Sequence, residues 1–248
     1  MLNLISRRDF LGGLGALTVG VLFSNLVKEG EAKIKKTEPW PYVKIDPKKA
    51  GEIAYNAWFE VFCAQATATG VMELLAEKVG DPWATFPIHA LKFGMGGMLG
   101  WGMTCGSIVT ASLVMGLVLP KEIVNDMILD IVEWYAETSL PVFVPDKPKF
   151  VKDVKDMPKT VANSPLCHIS VGKWMKTANK AFTSPERRDR CARVAASVAY
   201  RTVELLNAWK DGKYKPTHTW NGPAAVGIPA QQNCNECHGT NIPVAPKS

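Results

Sequence analysis

The sequence lacks the features of several common protein classes. Its 248 residues contain no low-complexity tract, and the lysines behind a formal net charge of +6 are spread along the chain. Because no block of basic residues stands out, the sequence argues against a nucleic-acid patch. Alternation of apolar and polar residues is nowhere sustained, which argues against a fold built from strands. A chain of this length can form one large domain or two small ones.

The chain also lacks a convincing membrane span. Its most apolar part, residues 83–119, is interrupted by glycines, and the apolar helix predicted at residues 107–119 is short. A second apolar stretch, residues 11–27, contains four glycines and is short as well. A membrane-spanning helix needs about 20 consecutive apolar residues. We therefore expect no stable span in the mature protein.

The N-terminus predicts export. Residues 6–11 are Ser-Arg-Arg-Asp-Phe-Leu, the weakly hydrophobic stretch follows, and small residues stand at a plausible cleavage spacing near residue 32. This order is typical of a twin-arginine signal peptide, which we assign to residues 1–32. The alternative is an N-terminal anchor that is never cleaved. With cleavage, the protein is expected in a bacterial periplasm.

The residues that follow predict helices. Apolar residues at three-four spacing indicate a helix from Pro47 to about Val79, which Gly80-Asp81-Pro82 ends. Further helices are predicted at residues 107–119, at residues 120–139, near Cys167, and from Ser184-Pro185 to about Lys210. Residues 140–165 hold five prolines and predict a surface loop. The expected fold is all-α, a bundle of about six helices over residues 33–211 with an irregular tail at residues 212–248.

The C-terminal tail contains the most specific motif of the chain, Cys234-Asn235-Glu236-Cys237-His238, which is C-x-x-C-H. Two thiols at this spacing match the two vinyl groups of a haem, and the next histidine falls under the iron. The motif predicts one haem c per chain, attached through Cys234 and Cys237, with His238 as the proximal ligand. Neither the surroundings of a redox C-x-x-C pair nor a second pair of zinc ligands is present.

A six-coordinate haem needs a second iron ligand, and we favour His218. It lies in a proline-flanked, irregular segment where no core role explains it. It could ligate the haem of its own chain or that of a partner subunit. The alternatives are His89, expected as a core group, His168, which could belong to another site, and Met95, Met98 and Met103, most simply core filling.

Four further cysteines remain: Cys63, Cys105, Cys167 and Cys191. In an exported protein, an even set at long spacing indicates disulfides, and spacing alone favours two of them here. The alternative is a metal or iron–sulfur centre. Two features favour a cluster: the glycine-rich approach to Cys105, and an export system that carries folded proteins.

Two segments resemble a known family. Phe62-Cys63-Ala64-Gln65-Ala66 and residues 100–107, Gly-Trp-Gly-Met-Thr-Cys-Gly-Ser, resemble the C-GCAxxG-C-C family of redox-active proteins over roughly residues 48–205. With the export signal and the haem motif, the whole chain resembles the split-Soret cytochromes c. Those proteins are helical homodimers with an iron–sulfur centre and bis-histidine haems.

The resemblance implies a second cofactor and a set of ligands. Cys63, Cys105, Cys167 and Cys191 would hold an iron–sulfur cluster, expected to be of the 2Fe-2S type. His218 would be a distal haem ligand. One departure matters, because the split-Soret proteins carry two haems per subunit and this chain has a single C-x-x-C-H motif. A close pair of haems could still form across a dimer axis, one from each subunit.

These cofactors predict an electron carrier. Bis-histidine ligation leaves no open position on the iron, so single-electron transfer to a redox partner protein is expected, and no residue is assigned a catalytic role. The alternatives are a haem and iron–sulfur oxidoreductase that reduces a small molecule, and a cytochrome subunit of a larger redox complex.

Overall fold

The computed structural model describes residues 39–218. The signal peptide predicted for residues 1–32 and the motif at Cys234, Cys237 and His238 lie outside the described residues. The described part contains five α-helices: α1 (Pro47–Val79), α2 (Gly106–Val118), α3 (Lys121–Glu137), α4 (Cys167–Ala178) and α5 (Pro185–Lys210). It also contains three short 3-10 helices, at Trp83–Thr85, Ile88–Gly94 and Val154–Asp156, and two antiparallel strands, β1 (Ser139–Leu140) and β2 (Thr160–Val161). The predicted all-α class is confirmed.

Local capping explains where the two longest helices begin. The carboxylate of Asp46 accepts hydrogen bonds from the amides of Lys48 and Lys49, and Pro47 occupies the first turn of α1. At α5, the Ser184 hydroxyl accepts a hydrogen bond of 3.2 Å from the Arg187 amide, next to a proline in the first turn. These are the side chains that helix N-termini favour, so the predicted starts are confirmed.

The helices pack around α1, which lies mainly against α5 and also contacts α2. The larger apolar core joins α1, α2, α3 and α5 and includes Leu75, Met115, Ile131 and Leu206, all fully buried. A second, smaller cluster lies between α1 and α5 around Trp58, and it contains two of the cysteines. Among residues 39–218, no helix has both the length and the apolar character needed to cross a membrane.

The proline-rich stretch between α3 and α4 is irregular, as predicted, but part of it is buried. Phe143, Val151 and Met157 turn inward. The Val151 amide donates a hydrogen bond of 2.6 Å to the buried Asp189 carboxylate of α5. Strands β1 and β2 pair Ser139 with Val161 at the ends of this stretch. The loop is therefore fixed to the helical body.

The prediction of a core position is wrong for three residues. His89 is exposed, and Met98 and Met103 keep 44% and 53% of their surface accessible. The physical reason is local backbone geometry: residues 88–103 form a 3-10 helix and a glycine loop, so a helical periodicity does not apply there. These side chains project from the loop that covers the cysteines described below.

Candidate metal centre

Four elements each supply one cysteine to a common region. Cys63 lies in the middle of α1, Cys105 immediately precedes α2, Cys167 begins α4, and Cys191 lies in the second turn of α5. Cys167 is partly buried and the other three are buried, and all four are free thiols. We call Cys63, Cys105, Cys167 and Cys191 the four-cysteine centre.

The backbone of α1 is distorted next to Cys63. Phe62 has a φ of 61° and a ψ of −168° inside the helix. Such a conformation is unusual for a bulky residue and costs on the order of 1–3 kcal/mol. The distortion is supported by side chains, since the Thr67 hydroxyl donates to the Cys63 carbonyl at 3.0 Å and the Thr110 hydroxyl to the Ala64 carbonyl at 2.8 Å. Strain that is held in this way is typical of functional sites.

A glycine loop lies directly over the centre. Gly97 has a φ of +64°, and a Cβ atom there would lie 2.5 Å from the Met103 carbonyl oxygen and 2.9 Å from the Cys167 Cβ. A Cβ atom on Gly102 would lie 2.7 Å from the His168 Cβ. Only glycine lets the backbone approach this closely. The glycine-rich approach to Cys105 in the sequence is therefore a close packing of backbone on the cysteines.

Backbone pairing brings Cys105 and Cys167 together. The Cys105 amide donates to the Pro165 carbonyl at 3.0 Å, and the Cys167 amide donates to the Met103 carbonyl at 2.7 Å. The two segments run antiparallel, and each leads into a helix N-terminus, α2 after Cys105 and α4 at Cys167. The dipole of a helix favours negative charge at its N-terminus, so both positions would help to stabilise a negatively charged cluster.

The thiols interact electrostatically. Burial, with further contributions from Cys105 and Cys191, raises the pKa of the Cys63 thiol to about 12. Burial, with contributions from Cys105, Cys63 and Cys191, also raises the pKa of the Cys167 thiol. Each of these two thiols is therefore destabilised as an anion, first by burial and then by the other cysteines. A bound cation would remove that penalty, and ligation would release protons.

The four thiols do not form a ready-made site for a single metal ion among the described residues. Within residues 39–218, no three His, Cys, Asp or Glu side chains converge closely enough to hold one metal ion. The four cysteines nevertheless lie within electrostatic reach of one another. A single tetrahedral ion would require all four sulfurs at about 2.3 Å. Four free cysteines from four elements are the donor set that an iron–sulfur cluster takes.

Two buried donors near the cysteines lack acceptors. Among the described residues, the Trp58 indole Nε1 and the Arg190 Nε have no hydrogen-bond partner. Trp58 lies close to Cys63 and offsets a small part of the rise in the pKa of its thiol. The two do not form a hydrogen bond of normal geometry. Buried donors are normally satisfied. An iron–sulfur cluster, with its thiolate and sulfide acceptors, fits this set of donors and thiols.

A separate polar site holds His218. The Asp130 carboxylate accepts hydrogen bonds from the Tyr214 hydroxyl at 2.6 Å, the Thr217 amide at 2.9 Å and the His218 amide at 2.6 Å. The His218 Nδ1 lies 3.2 Å from the same carboxylate, and its Nε2 lies 3.8 Å from Asp126. Burial alone would raise the pKa of Asp130, but these hydrogen bonds outweigh it and hold the pKa below its usual value. We call Asp130, Tyr214, Thr217 and His218 the Asp130 anchor.

The anchor leaves His218 suited to bind a metal. Its side chain is 27% exposed, and a carboxylate at Nδ1 favours the tautomer whose Nε2 lone pair is free. In the described part of the chain, its polar side-chain partners are Asp126 and Asp130. Sequence reasoning missed Asp130. A signal was present, because this acidic residue lies beside Ile131 on the inward face of α3.

The remaining candidate ligand beside the cysteines is His168. His168 is exposed at the start of α4, next to Cys167, and its Cβ packs against Gly102. Sequence reasoning also missed Arg190 and Trp58 beside the cysteines. Trp58 lies five residues before Cys63 in the sequence, but no pattern distinguishes it from an ordinary core residue.

The chain is similar to known redox proteins. Residues 61–205 match the model of the family described as "Putative redox-active protein (C_GCAxxG_C_C)". The chain is 32% identical over 252 residues to the split-Soret cytochrome c of Desulfovibrio desulfuricans, with 95% of this chain and 88% of that protein covered. A solved structure of the split-Soret cytochrome c from Desulfovibrio desulfuricans, which describes a novel iron centre, matches with a TM-score of 0.71 at 30% identity. That match covers 84% of this chain and 86% of the other.

Proposed function

This chain belongs to the C_GCAxxG_C_C family of redox-active proteins and is a homologue of the split-Soret cytochrome c, and we propose that it transfers single electrons between an iron–sulfur centre and a haem c. The observation that carries the proposal is the convergence of four free cysteines from four elements beside buried donors that lack acceptors. The related solved structure is described as having a novel iron centre, which supports an iron-containing centre in this chain.

Cys63, Cys105, Cys167 and Cys191 would ligate the cluster, which would supply one-electron chemistry when bound. We propose the 2Fe-2S type, since it is the smallest cluster that takes four thiolates. The protein would contribute a rigid, largely water-free enclosure. The glycine loop packs closely on Cys167, and the backbone of Gly96 supplies a hydrogen bond to Cys63.

The haem would be held by the tail at residues 212–248. Cys234 and Cys237 would attach it, His238 would be the proximal ligand, and His218 the distal ligand in its own or the partner subunit. The Asp130 anchor supports this role for His218, because it fixes the imidazole through Nδ1 and leaves Nε2 free. With both axial positions filled, the iron has no site for a substrate, which favours a carrier.

The place and assembly of the protein follow from its sequence features. A twin-arginine signal at residues 1–32 would direct it to a bacterial periplasm, and a mature N-terminus near residue 33 in the periplasmic fraction would test this. A homodimer would place one haem from each subunit in close contact. Splitting of the Soret band in the isolated dimer is expected from such a pair, and an unsplit band would contradict it.

The cluster is tested by metal analysis of the full, anaerobically purified protein. We expect about three irons and two acid-labile sulfides per chain, one iron belonging to the haem. The Cys191→Ser variant should keep its haem and lose the sulfide with about two irons. Thr202→Ser, a conservative change at a buried position on the same helix, serves as the control and should keep both. A wild-type protein with one iron and no sulfide would refute the cluster.

A further inference from the structure

Two buried arginines of α5 differ in the groups that they contact. Arg190 and Arg193 are both only 1% exposed. Arg193 forms an ion pair of 3.3 Å with the Asp189 carboxylate and donates a second hydrogen bond to the Val151 carbonyl. Arg190 forms no ion pair with any carboxylate among residues 39–218. Its Nη2 donates to the neutral Ser170 hydroxyl at 2.7 Å, and its Nε has no acceptor there.

A buried, unpaired guanidinium is costly. Arginine does not lose its proton in proteins, so the charge cannot be removed by a change of protonation. Burying such a charge without an anion strongly destabilises the folded protein. Buried charges in natural proteins are therefore paired with an opposite charge, from the protein or from a bound group. Among residues 39–218 the partner of Arg190 is a neutral hydroxyl, so an anion is expected near it that these residues do not supply.

The position of Arg190 indicates which anion this is. Arg190 directly precedes Cys191 on α5, and its partner Ser170 lies one turn after Cys167 on the same face of α4. The Tyr135 hydroxyl interacts with both Ser170 and Cys105. Through Ser170 and Tyr135 the guanidinium is connected to two of the four cysteines, Cys167 and Cys105, and it favours negative charge on Cys167.

We propose that the Arg190 guanidinium is the counter-charge of the four-cysteine centre, stabilising the metal-loaded, anionic centre and destabilising the same fold when the centre is empty. An oxidised 2Fe-2S cluster with four thiolates carries a net charge of about −2, so one fixed cation offsets part of it. This inference rests on the proposed iron–sulfur function. Arg190 would act as a positioning and charge-balancing residue, and it would touch no substrate.

The proposal predicts effects of opposite sign in the loaded and empty protein. Arg190→Gln should lower the reduction potential of the cluster, because the reduced, more negative state loses a cation. It should also speed loss of the cluster to a chelator by about tenfold, the effect of removing one charged hydrogen bond. In the full chain from which the cluster has been removed, the same change should raise the melting temperature by about 2–4 °C.

Two matched variants separate charge from shape. Arg193→Gln removes a buried guanidinium that already has its own carboxylate, so it should destabilise loaded and empty protein alike and leave the cluster potential unchanged. Arg190→Lys keeps the charge and should return the potential and the rate of cluster loss most of the way to the wild-type values. If Arg190→Gln does not retain a cluster at all, retention by Arg190→Lys still supports a role of charge.

Specific results would overturn the inference. These are an unchanged potential and rate of cluster loss in Arg190→Gln, a lower melting temperature of its empty form, or equal loss of the cluster in Arg190→Gln and Arg190→Lys. A wild-type protein without labile sulfide would instead refute the proposed function. A wild-type cluster that Arg190→Gln leaves unaffected would refute only the role of Arg190.

Discussion

The four-cysteine centre and the Asp130 anchor differ in how completely the polypeptide satisfies them. At the anchor, the Asp130 carboxylate accepts three hydrogen bonds, and His218 is held by it at 3.2 Å. At the cysteines, the Trp58 Nε1 and the Arg190 Nε lack acceptors among the described residues, and the backbone of Phe62 is strained. The anchor is complete without a cofactor, whereas the four-cysteine centre is not.

This difference has a physical meaning. A polar site that is fully satisfied can hold a side chain ready for a ligand, and it costs little when the ligand is absent. A site with strained backbone and unpartnered buried donors raises the free energy of the empty protein, and binding must offset that cost. We therefore expect changes at the cysteines to affect cofactor retention, and changes at the anchor to affect the position of one histidine.

The largest effect is expected at the glycine loop. Gly97→Ala would force a Cβ atom to within 2.5 Å of the Met103 carbonyl oxygen at a φ of +64°. The loop must then move, and the backbone pairing that brings Cys167 beside Cys105 moves with it. We expect most of the acid-labile sulfide to be lost while the haem stays attached. The ratio of sulfide to haem in purified protein measures this.

Gly116→Ala is the matched control for the glycine loop. Gly116 lies inside α2, and an added Cβ atom there would meet no neighbouring atom within 4 Å. Alanine in a helix interior is favoured over glycine by about 0.5–1 kcal/mol, so this variant should be slightly more stable in urea unfolding and keep its sulfide. A Gly97→Ala protein with the wild-type ratio would show that the loop does not shape the centre.

The two sites also differ in what the sequence reveals. The haem motif and the helix start at Ser184-Pro185 are local patterns, and each could be recognised from a few neighbouring residues. The spacing of the four cysteines alone favours disulfides, and a cluster is predicted only from the glycine-rich approach to Cys105, the export signal and the family resemblance together. Free thiols from four separate elements are a result of tertiary packing, which no local pattern encodes.

Arg190 and Arg193 illustrate the limit most clearly. They are the same residue type, three positions apart on one helix, and equally buried. Only the fold shows that one meets the Asp189 carboxylate and the other a neutral hydroxyl. The exposure of His89, Met98 and Met103 has the same origin, since a 3-10 helix and a glycine loop replace the regular helix there.

A smaller effect is expected at the Asp130 anchor. Asp130→Ala would remove the acceptor for Tyr214, for the Thr217 and His218 amides, and for the His218 ring. Loss of a carboxylate that orients a metal-bound histidine typically weakens the metal bond about 10–100-fold. We expect a reduced fraction of six-coordinate, low-spin haem in the absorption and electron paramagnetic resonance spectra, with the sulfide content unchanged.

Asp126→Asn separates orientation of the ring from the negative charge around it. Asp126 is more exposed and lies 3.8 Å from Nε2, the nitrogen proposed to bind iron, so it does not orient the ring. This variant should keep the wild-type low-spin spectrum. If Asp130→Ala also keeps the low-spin spectrum, then either His218 is not the distal ligand or its position does not depend on the anchor. The His218→Ala variant distinguishes these two explanations. A concurrent loss of sulfide in Asp130→Ala would contradict the comparison itself, because the two sites would then not be independent.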